Sequence, residues 1–377
     1  MTPDPPPVLT PAGARLLRRR LLGWYARHAR AMPWRATRDP YRVWVSEVML
    51  QQTQVATATP YWHRFVERFP TLEALARAPL ERVLEAWAGL GYYRRARHLH
   101  EAARAVVRDR GGRVPNDPAA FGALPGVGRY TVGAVLSIAF DRPLAALDGN
   151  VARVLARLAA RPWSPRDPAG ARALWALATS LVPMRRPGDW NQAVMELGAT
   201  VCTPRAPRCG ACPAAPLCRA RTLGRPEDYP PAARRRAARR VRRAVALVGH
   251  GGRWLVVRRE GALLGGLWEP PGVDLPDGAA ARPALARALA AAGVRARLAP
   301  AGVARHVMTH RVIEAELWLG VPRGAPRARA GARWVDPAAP GVGLSAFARR
   351  ALAAVRPSVR AAAGAARAAR PGARARR

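Results

Sequence analysis

The chain is 377 residues long and half of it is hydrophobic, enough for two ordinary domains with a core each. Its 63 basic and 24 acidic residues leave a formal charge of 63 − 24 = +39, which points to a nucleic-acid partner whose phosphates the cations would neutralise. No apolar run approaches the roughly 18 residues of a membrane span, and the opening MTPDPPPVLT lacks the charged and apolar regions of a signal peptide. A membrane partner is thereby excluded, and a cytoplasmic, nucleoid-associated protein is expected.

In chain order, residues 1–14 are Pro-rich and read as a disordered terminus. From Leu16 to Ala199 apolar residues recur at three- and four-residue spacing, as in RLLRRRLLGWYARHA, TLEALARAPLERVLEAWAGL and VARVLARLAAR, with Pro or Gly at the breaks. That period predicts an all-α domain over 15–222. RPEDYPPAARRRAARRVRR then reads as a basic linker over 223–243. Beyond it the period shortens: AVALV, a GHGGR turn and WLVVRR predict a hairpin, EAELWLGV a strand and ARPALARALAAAG a helix, so 244–350 is an α+β domain. Residues 351–377 read as a basic disordered tail. The segments 234–243 and 356–377 hold seven arginines each, and without these fourteen the charge is still 39 − 14 = +25. Every basic side chain is arginine; the chain has no lysine, and part of its arginine and alanine usage fits a base-composition bias.

All four cysteines fall within CTPRAPRCGACPAAPLC, spaced C-x6-C-x2-C-x5-C through Cys202, Cys209, Cys212 and Cys218. Disulfides are disfavoured in a large intracellular protein. Four thiolates suit a tetrahedral zinc or a [4Fe–4S] cluster, and spacing alone leaves both open. Arg205, Arg208, Arg219 and Arg221 surround the loop and could face phosphates. LPGVGRYTVGAVLSIAF reads as a tight turn running into a helix, where Gly126 and Gly128 let amides point outward toward an anion. In LDGNVARVLARL, Asp148 is either a plain helix cap or a functional carboxylate. Glu47 lies between Val45 and Val48–Met49–Leu50, and desolvation there would raise its pKa.

The cysteine spacing, the LPGVG hairpin and the aspartate twenty residues later together resemble the endonuclease III superfamily of DNA glycosylases, across nearly all of 15–222. The resemblance implies a helix-hairpin-helix glycosylase domain with a [4Fe–4S] cluster on the four cysteines. In its lyases the residue two after the last hairpin glycine is a Schiff-base lysine; here it is Tyr130, so a monofunctional enzyme is expected. PWRATRDPYRVWVSEVMLQQTQV resembles the MutY family of adenine DNA glycosylases, and GLGYYRRARHLH and NQAVMELGATVC agree. That resemblance implies Glu47 as general acid toward adenine and Asp148 as the carboxylate that stabilises the sugar cation, oriented by Tyr130 and Asn150. It implies an adenine pocket at Trp34, Arg35 and Gln192. It also implies insertion into the duplex by Gln52 and Tyr92, with Thr53 and Leu90 beside them. Read alone, Gln52 is a solvated glutamine and Tyr92 a core aromatic.

WLVVRREGALLGGLWEPPGV resembles the Nudix fold. With the Nudix box laid on Gly272, its acidic positions fall on Gly278, Arg287, Ala290 and Ala291, which cannot hold Mg²⁺, so pyrophosphate hydrolysis is excluded. Such a domain behind this glycosylase implies lesion reading by Thr309 and His310, with Met308 where an aromatic is common. The substrate expected is duplex DNA carrying adenine opposite 8-oxoguanine or guanine, taken by a monomer. The alternatives are a thymine or uracil mismatch glycosylase and a noncatalytic DNA-binding repair factor.

Overall fold

A computed structural model describes residues 8–232, 238–261, 264–308 and 310–354, and these form two compact units. Met1–Arg77 and His98–Arg234 make up the first; Ala78–Arg97 and Arg235–Arg377 make up the second.

The helices follow the punctuation of the sequence. Helices α1 (Pro11–His28), α2 (Pro40–Leu50), α3 (Val55–Arg68) and α4 (Leu72–Arg77) come first. Next come α5 (Leu80–Trp87), which belongs to the second unit, and α6 (Arg94–Arg110), whose first turn does too. The first unit continues with α7 (Pro118–Gly122), α8 (Arg129–Phe140), α9 (Gly149–Ala159), α10 (Pro168–Leu181), α11 (Pro187–Thr200) and the short α12 (Arg219–Thr222). Thr10, Asp39, Asp117 and Asp167 each cap a helix with a side-chain oxygen and are each followed by a proline at the first helical position. The cap satisfies an orphan amide and the proline needs none, so both fix where the helix starts.

Leu17, Leu21 and Trp24 of α1 pack with Val151, Leu155 and Leu158 of α9 and with Trp190, Val194 and Leu197 of α11. Two glycines set the spacing. A Cβ on Gly133 of α8 would lie 1.8 Å from the Ala145 carbonyl, and one on Gly198 of α11 would lie 2.7 Å from Asn150 Cβ. The helices therefore pack backbone to backbone around residues 145–150, the segment that carries Asp148.

The second unit is built on a sheet with the order β3-β2-β1-β6-β5, made by β1 (Arg239–His250), β2 (Arg253–Arg258), β3 (Trp268–Glu269), β5 (Ala296–Val307) and β6 (Arg311–Pro322). β4 (Gly272–Leu275) pairs with β1 and β7 (Ala332–Val335) with β2; β1 and β6 run parallel, and β1 and β2 form the expected hairpin through Gly251 and Gly252. Alternate residues of β1 face opposite layers. Val245 and Leu247 pack with Phe347 and Leu352 from a helix over 346–354, while Ala244, Ala246 and Val248 pack with Leu285 and Leu289 of α13 (Ala281–Ala291). α13 carries no acidic residue.

Candidate active site

One cleft of about 780 Å³ in the first unit gathers Trp34, Arg35, Glu47, Gln52, Thr53, Gly126, Gly128, Tyr130, Asp148, Asn150 and Gln192. Residues spread over nearly 160 positions in sequence meet there because α2, α8, α9 and α11 pack on one another.

Glu47, on the last turn and a half of α2, is buried, with Ser46, Val48 and Met49 buried around it. The Tyr130 hydroxyl donates to its Oε2 at 2.6 Å. Burial pushes the Glu47 carboxyl up to about 7, and the charge of Asp148 adds to the rise against the opposing pull of the Tyr130 hydrogen bond and Arg35. Asp148 does cap α9: its Oδ1 accepts from the Val151 amide at 2.7 Å, while Oδ2 accepts from Asn150 Nδ2 at 2.9 Å. Burial raises its pKa too, but the Val151 and Asn150 donors and Arg153 resist the rise. A proton held between the two carboxyls therefore resides on Glu47, which has one donor where Asp148 has several.

The cap reading of Asp148 thus holds through one oxygen, while the other faces Asn150. Asn150 is fixed in turn by Arg153, whose guanidinium donates to Asn150 Oδ1 at 2.8 Å, to the Gly198 carbonyl at 2.9 Å and to the Cys202 carbonyl at 2.8 Å. Asn191 holds the approach to Asp148: its Oδ1 accepts from the Ala146 amide, and its Nδ2 donates to Ser137 Oγ and to the Leu144 carbonyl.

Deeper in the cleft lies an ion triad absent from the sequence reading. Glu196 is 1% exposed; Arg30 donates to it through Nε at 2.5 Å and Arg35 through a terminal nitrogen at 2.8 Å. Burial pushes the Glu196 carboxyl up, but the two guanidiniums outweigh it and hold it below the usual range. The signal was available in the helical period, because Gln192, Met195, Glu196 and Ala199 occupy i, i+3, i+4 and i+7 of α11 and all line the cleft. Trp34 is buried edge-on against Trp62.

The two hairpin glycines differ. Gly126 has φ +74 and a Cβ there would strike His98, so glycine is required. Gly128, the N-cap of α8, has φ −96 with open space around it, a conformation any residue adopts, so the expected backbone freedom is not used there. Gln52 is exposed with φ 59, a left-handed residue at the rim. Leu90 and Tyr92 lie outside the cleft on a turn of the second unit, Leu90 buried and Tyr92 exposed with φ 45. His310 is exposed, and the Met308 amide donates to the Arg311 carbonyl beside it; Thr309 lies outside the described residues.

Cys202, Cys209, Cys212 and Cys218 are free thiols lining one small cavity together with Arg157. Burial chiefly, with the three other thiols adding to it, pushes the Cys212 thiol up to about 11. Burial raises Cys218 as well. Arg157, 2% exposed, donates to Cys202 Sγ at 3.3 Å and to the carbonyls of Thr203, Pro204 and Tyr229. Among the described residues no three His, Cys, Asp or Glu side chains form a group that could hold one metal ion. Four half-buried thiols ionise together only against a compensating cationic group, so this donor set fits a thiolate-bound metal centre.

The chain belongs to the HhH-GPD superfamily of base excision DNA repair proteins, whose pattern matches residues 45–179; a NUDIX domain pattern matches 243–354. It is 53% identical over 212 residues to the adenine DNA glycosylase of Rattus norvegicus, covering 54% of this chain and 41% of that protein. With the adenine DNA glycosylase of Mus musculus it shares 42% identity over 311 residues, 68% of this chain and 60% of that one. The chain thus spans less than two thirds of these relatives' lengths. The solved structure of a thermostable thymine-DNA glycosylase superposes with a TM-score of 0.51 at 32% identity, over 55% of this chain and 96% of that one.

Proposed function

We propose that the protein is a monofunctional adenine DNA glycosylase, acting as a monomer on adenine opposite 8-oxoguanine and on adenine opposite guanine. The observation that carries this is the pair of carboxyls in one cleft with separate environments: Glu47, pushed up to about 7, and the N-capping Asp148, with several donors. Adenine is a poor anionic leaving group. Glu47 gives its proton to N7 of the flipped base, the C1′–N9 bond breaks and its electron pair stays with the base. The ionised Asp148 stabilises the oxocarbenium sugar, and water adds at C1′ with its proton passing to the Glu47 carboxylate. Tyr130 and Asn150 hold the two carboxyls. Trp34, Arg35 and Gln192 line the base pocket, which Arg30 and Glu196 extend. The absence of lysine leaves no side-chain amine for a Schiff base, so lysine-based strand cleavage is not part of the reaction.

Gln52 and Tyr92 enter the duplex, while Thr53, Leu90, Gly126 and Gly128 support the DNA path. Thr309 and His310 read the opposite base. Cys202, Cys209, Cys212 and Cys218 hold a [4Fe–4S] cluster, since four thiols lining one cavity suit a group that offers one iron to each. When bound it supplies the charge that keeps the four thiolates ionised and so orders the loop.

The test is excision from end-labelled duplexes carrying A opposite 8-oxoguanine, T opposite G and U opposite G, each with and without hot alkali. Breaks at A only after alkali are expected. Release of T or U with A untouched would assign the cleft to a mismatch glycosylase, and no release at all would leave a noncatalytic binder.

A further inference from the structure

We propose that Glu81, Trp268 and Arg333 are positioning residues for the turn that presents Tyr92, so that the α+β unit sets the aim of this aromatic. The inference rests on the reading of Tyr92 as the residue inserted into DNA. It starts from a topological fact: Ala78–Arg97 lies within the helical stretch of the sequence yet belongs to the second unit.

The seat is specific. Glu81, in the first turn of α5, accepts from Trp268 Nε1 at 2.8 Å and from Arg333 at 3.3 Å, both at the same oxygen. Trp268 is 3% exposed on β3, and the Arg333 guanidinium from β7 covers its ring at 4.8 Å. A Cβ on Gly343 would lie 3.2 Å from the Leu84 backbone, and one on Gly266 would lie 3.3 Å from the Leu84 side chain. The middle of α5 therefore packs closely against the glycines of this unit.

At its other end α5 holds the turn. Trp87 is fully buried and its Nε1 donates to the Gly91 carbonyl at 3.2 Å; the Tyr93 hydroxyl accepts from the Gly89 amide at 3.0 Å. Arg95 lies over both the Trp87 ring, at 5.4 Å, and the Tyr92 ring, at 5.5 Å, and donates to the Gly91 carbonyl at 3.2 Å. Tyr92, at φ 45, occupies a left-handed conformation costly for a bulky residue, and 41% of it is exposed. An exposed aromatic kept in a strained conformation by a buried tryptophan and a cation is a pre-aimed wedge. The clamp on Glu81 fixes the helix from which that wedge projects.

The experiment uses the full chain and a duplex with 8-oxoguanine opposite 2′-fluoro-2′-deoxyadenosine, whose fluorine destabilises the sugar cation and keeps the base attached. A 2-aminopurine beside the lesion brightens when unstacked. Tyr92→Ala, Glu81→Leu, Glu81→Gln and Trp268→Phe are compared for affinity, fluorescence and melting temperature. Glu81→Leu and Trp268→Phe are each expected to weaken affinity about tenfold and to dim the fluorescence as Tyr92→Ala does, the double variant Glu81→Leu/Tyr92→Ala being no worse than Tyr92→Ala. Glu81→Gln, which keeps the acceptor for Trp268, should stay within about twofold of the parent. The proposal is overturned by additive losses in the double variant, or by a lower melting temperature with unchanged duplex readouts while Tyr92→Ala is impaired. If Glu81→Leu does not fold, Trp268→Phe decides, since it removes one N–H and keeps the ring. A silent Tyr92→Ala would remove the reading of Tyr92 itself, and the clamp's role with it.

Discussion

At the scale of single residues, the proposed chemistry depends on keeping one carboxyl protonated near neutrality. Glu47 has the environment for this: burial drives its pKa from 4.5 to about 7, and the one hydrogen bond it receives, from Tyr130, does not reverse the shift. If the protonated form is the working one, the single-turnover excision rate should fall roughly tenfold per pH unit above about 7, and Glu47→Gln should abolish excision with duplex affinity kept. The same shift has a stability consequence with a definite sign. The folded state holds this proton more tightly than the unfolded state does, so the contribution of Glu47 to stability is most favourable below pH 4.5 and declines as pH rises to about 7. The full difference is ~3 kcal/mol. Glutamine cannot ionise, so Glu47→Gln should melt higher than the parent at pH 8 and lose that advantage at pH 4.5. Thermal melts across this range decide it; a pH-independent gap would mean that Glu47 is not the carboxyl at fault.

At the scale of elements, the packing of α11 against α9 controls the second carboxyl. Gly198 sits where a Cβ would lie 2.7 Å from Asn150 Cβ and 2.9 Å from the Asn150 carbonyl, so even a methyl must move the start of α9. That start carries Asp148, capped onto Val151, and Asn150, held by Arg153. Gly198→Ala should therefore cost about 1–3 kcal/mol of stability and lower the excision rate in single turnover at saturating enzyme, with affinity for intact duplex little changed. A fully active Gly198→Ala would show that α9 can shift without disturbing Asp148. Much at this scale was legible beforehand. The Asp-Pro and Thr-Pro helix starts, the β1–β2 hairpin and the acid-free α13 follow from cap chemistry, turn glycines and composition, all local signals. Glu47 was legible through its apolar neighbours, and Asp148 through its place before a helix. Glu196 could have been found from the period of α11, but Arg30 was not legible, because an ion triad between residues 166 positions apart leaves no local mark on it. Neither was the allegiance of α5, since an amphipathic helix names the face it buries and not the partner that covers it. Gly128 was misread for a related reason: a hairpin glycine looks the same in sequence whether its φ is +74 or −96.

At the scale of the whole molecule, charge and chemistry separate. Even if each of the 24 acidic residues neutralised an arginine, 39 cations would remain unmatched, and the sequence pI is near 11.9. If this excess meets DNA phosphates, as the proposed function requires, each phosphate neutralised releases counterions and affinity falls steeply with salt. The two cleft carboxyls should respond differently. Glu47 is buried, and its pKa is set chiefly by desolvation, which added salt screens little. Duplex affinity should therefore drop at least about a hundredfold between 50 and 200 mM salt, while the excision rate of the bound complex at saturating enzyme changes by less than about twofold. Filter binding and single-turnover excision along one salt series measure both. A flat affinity would mean that the arginine excess reflects base composition and does not contact DNA; an excision rate that fell in step with affinity would place a salt-sensitive ion pair inside the chemical step, with Arg30–Glu196 the first to test.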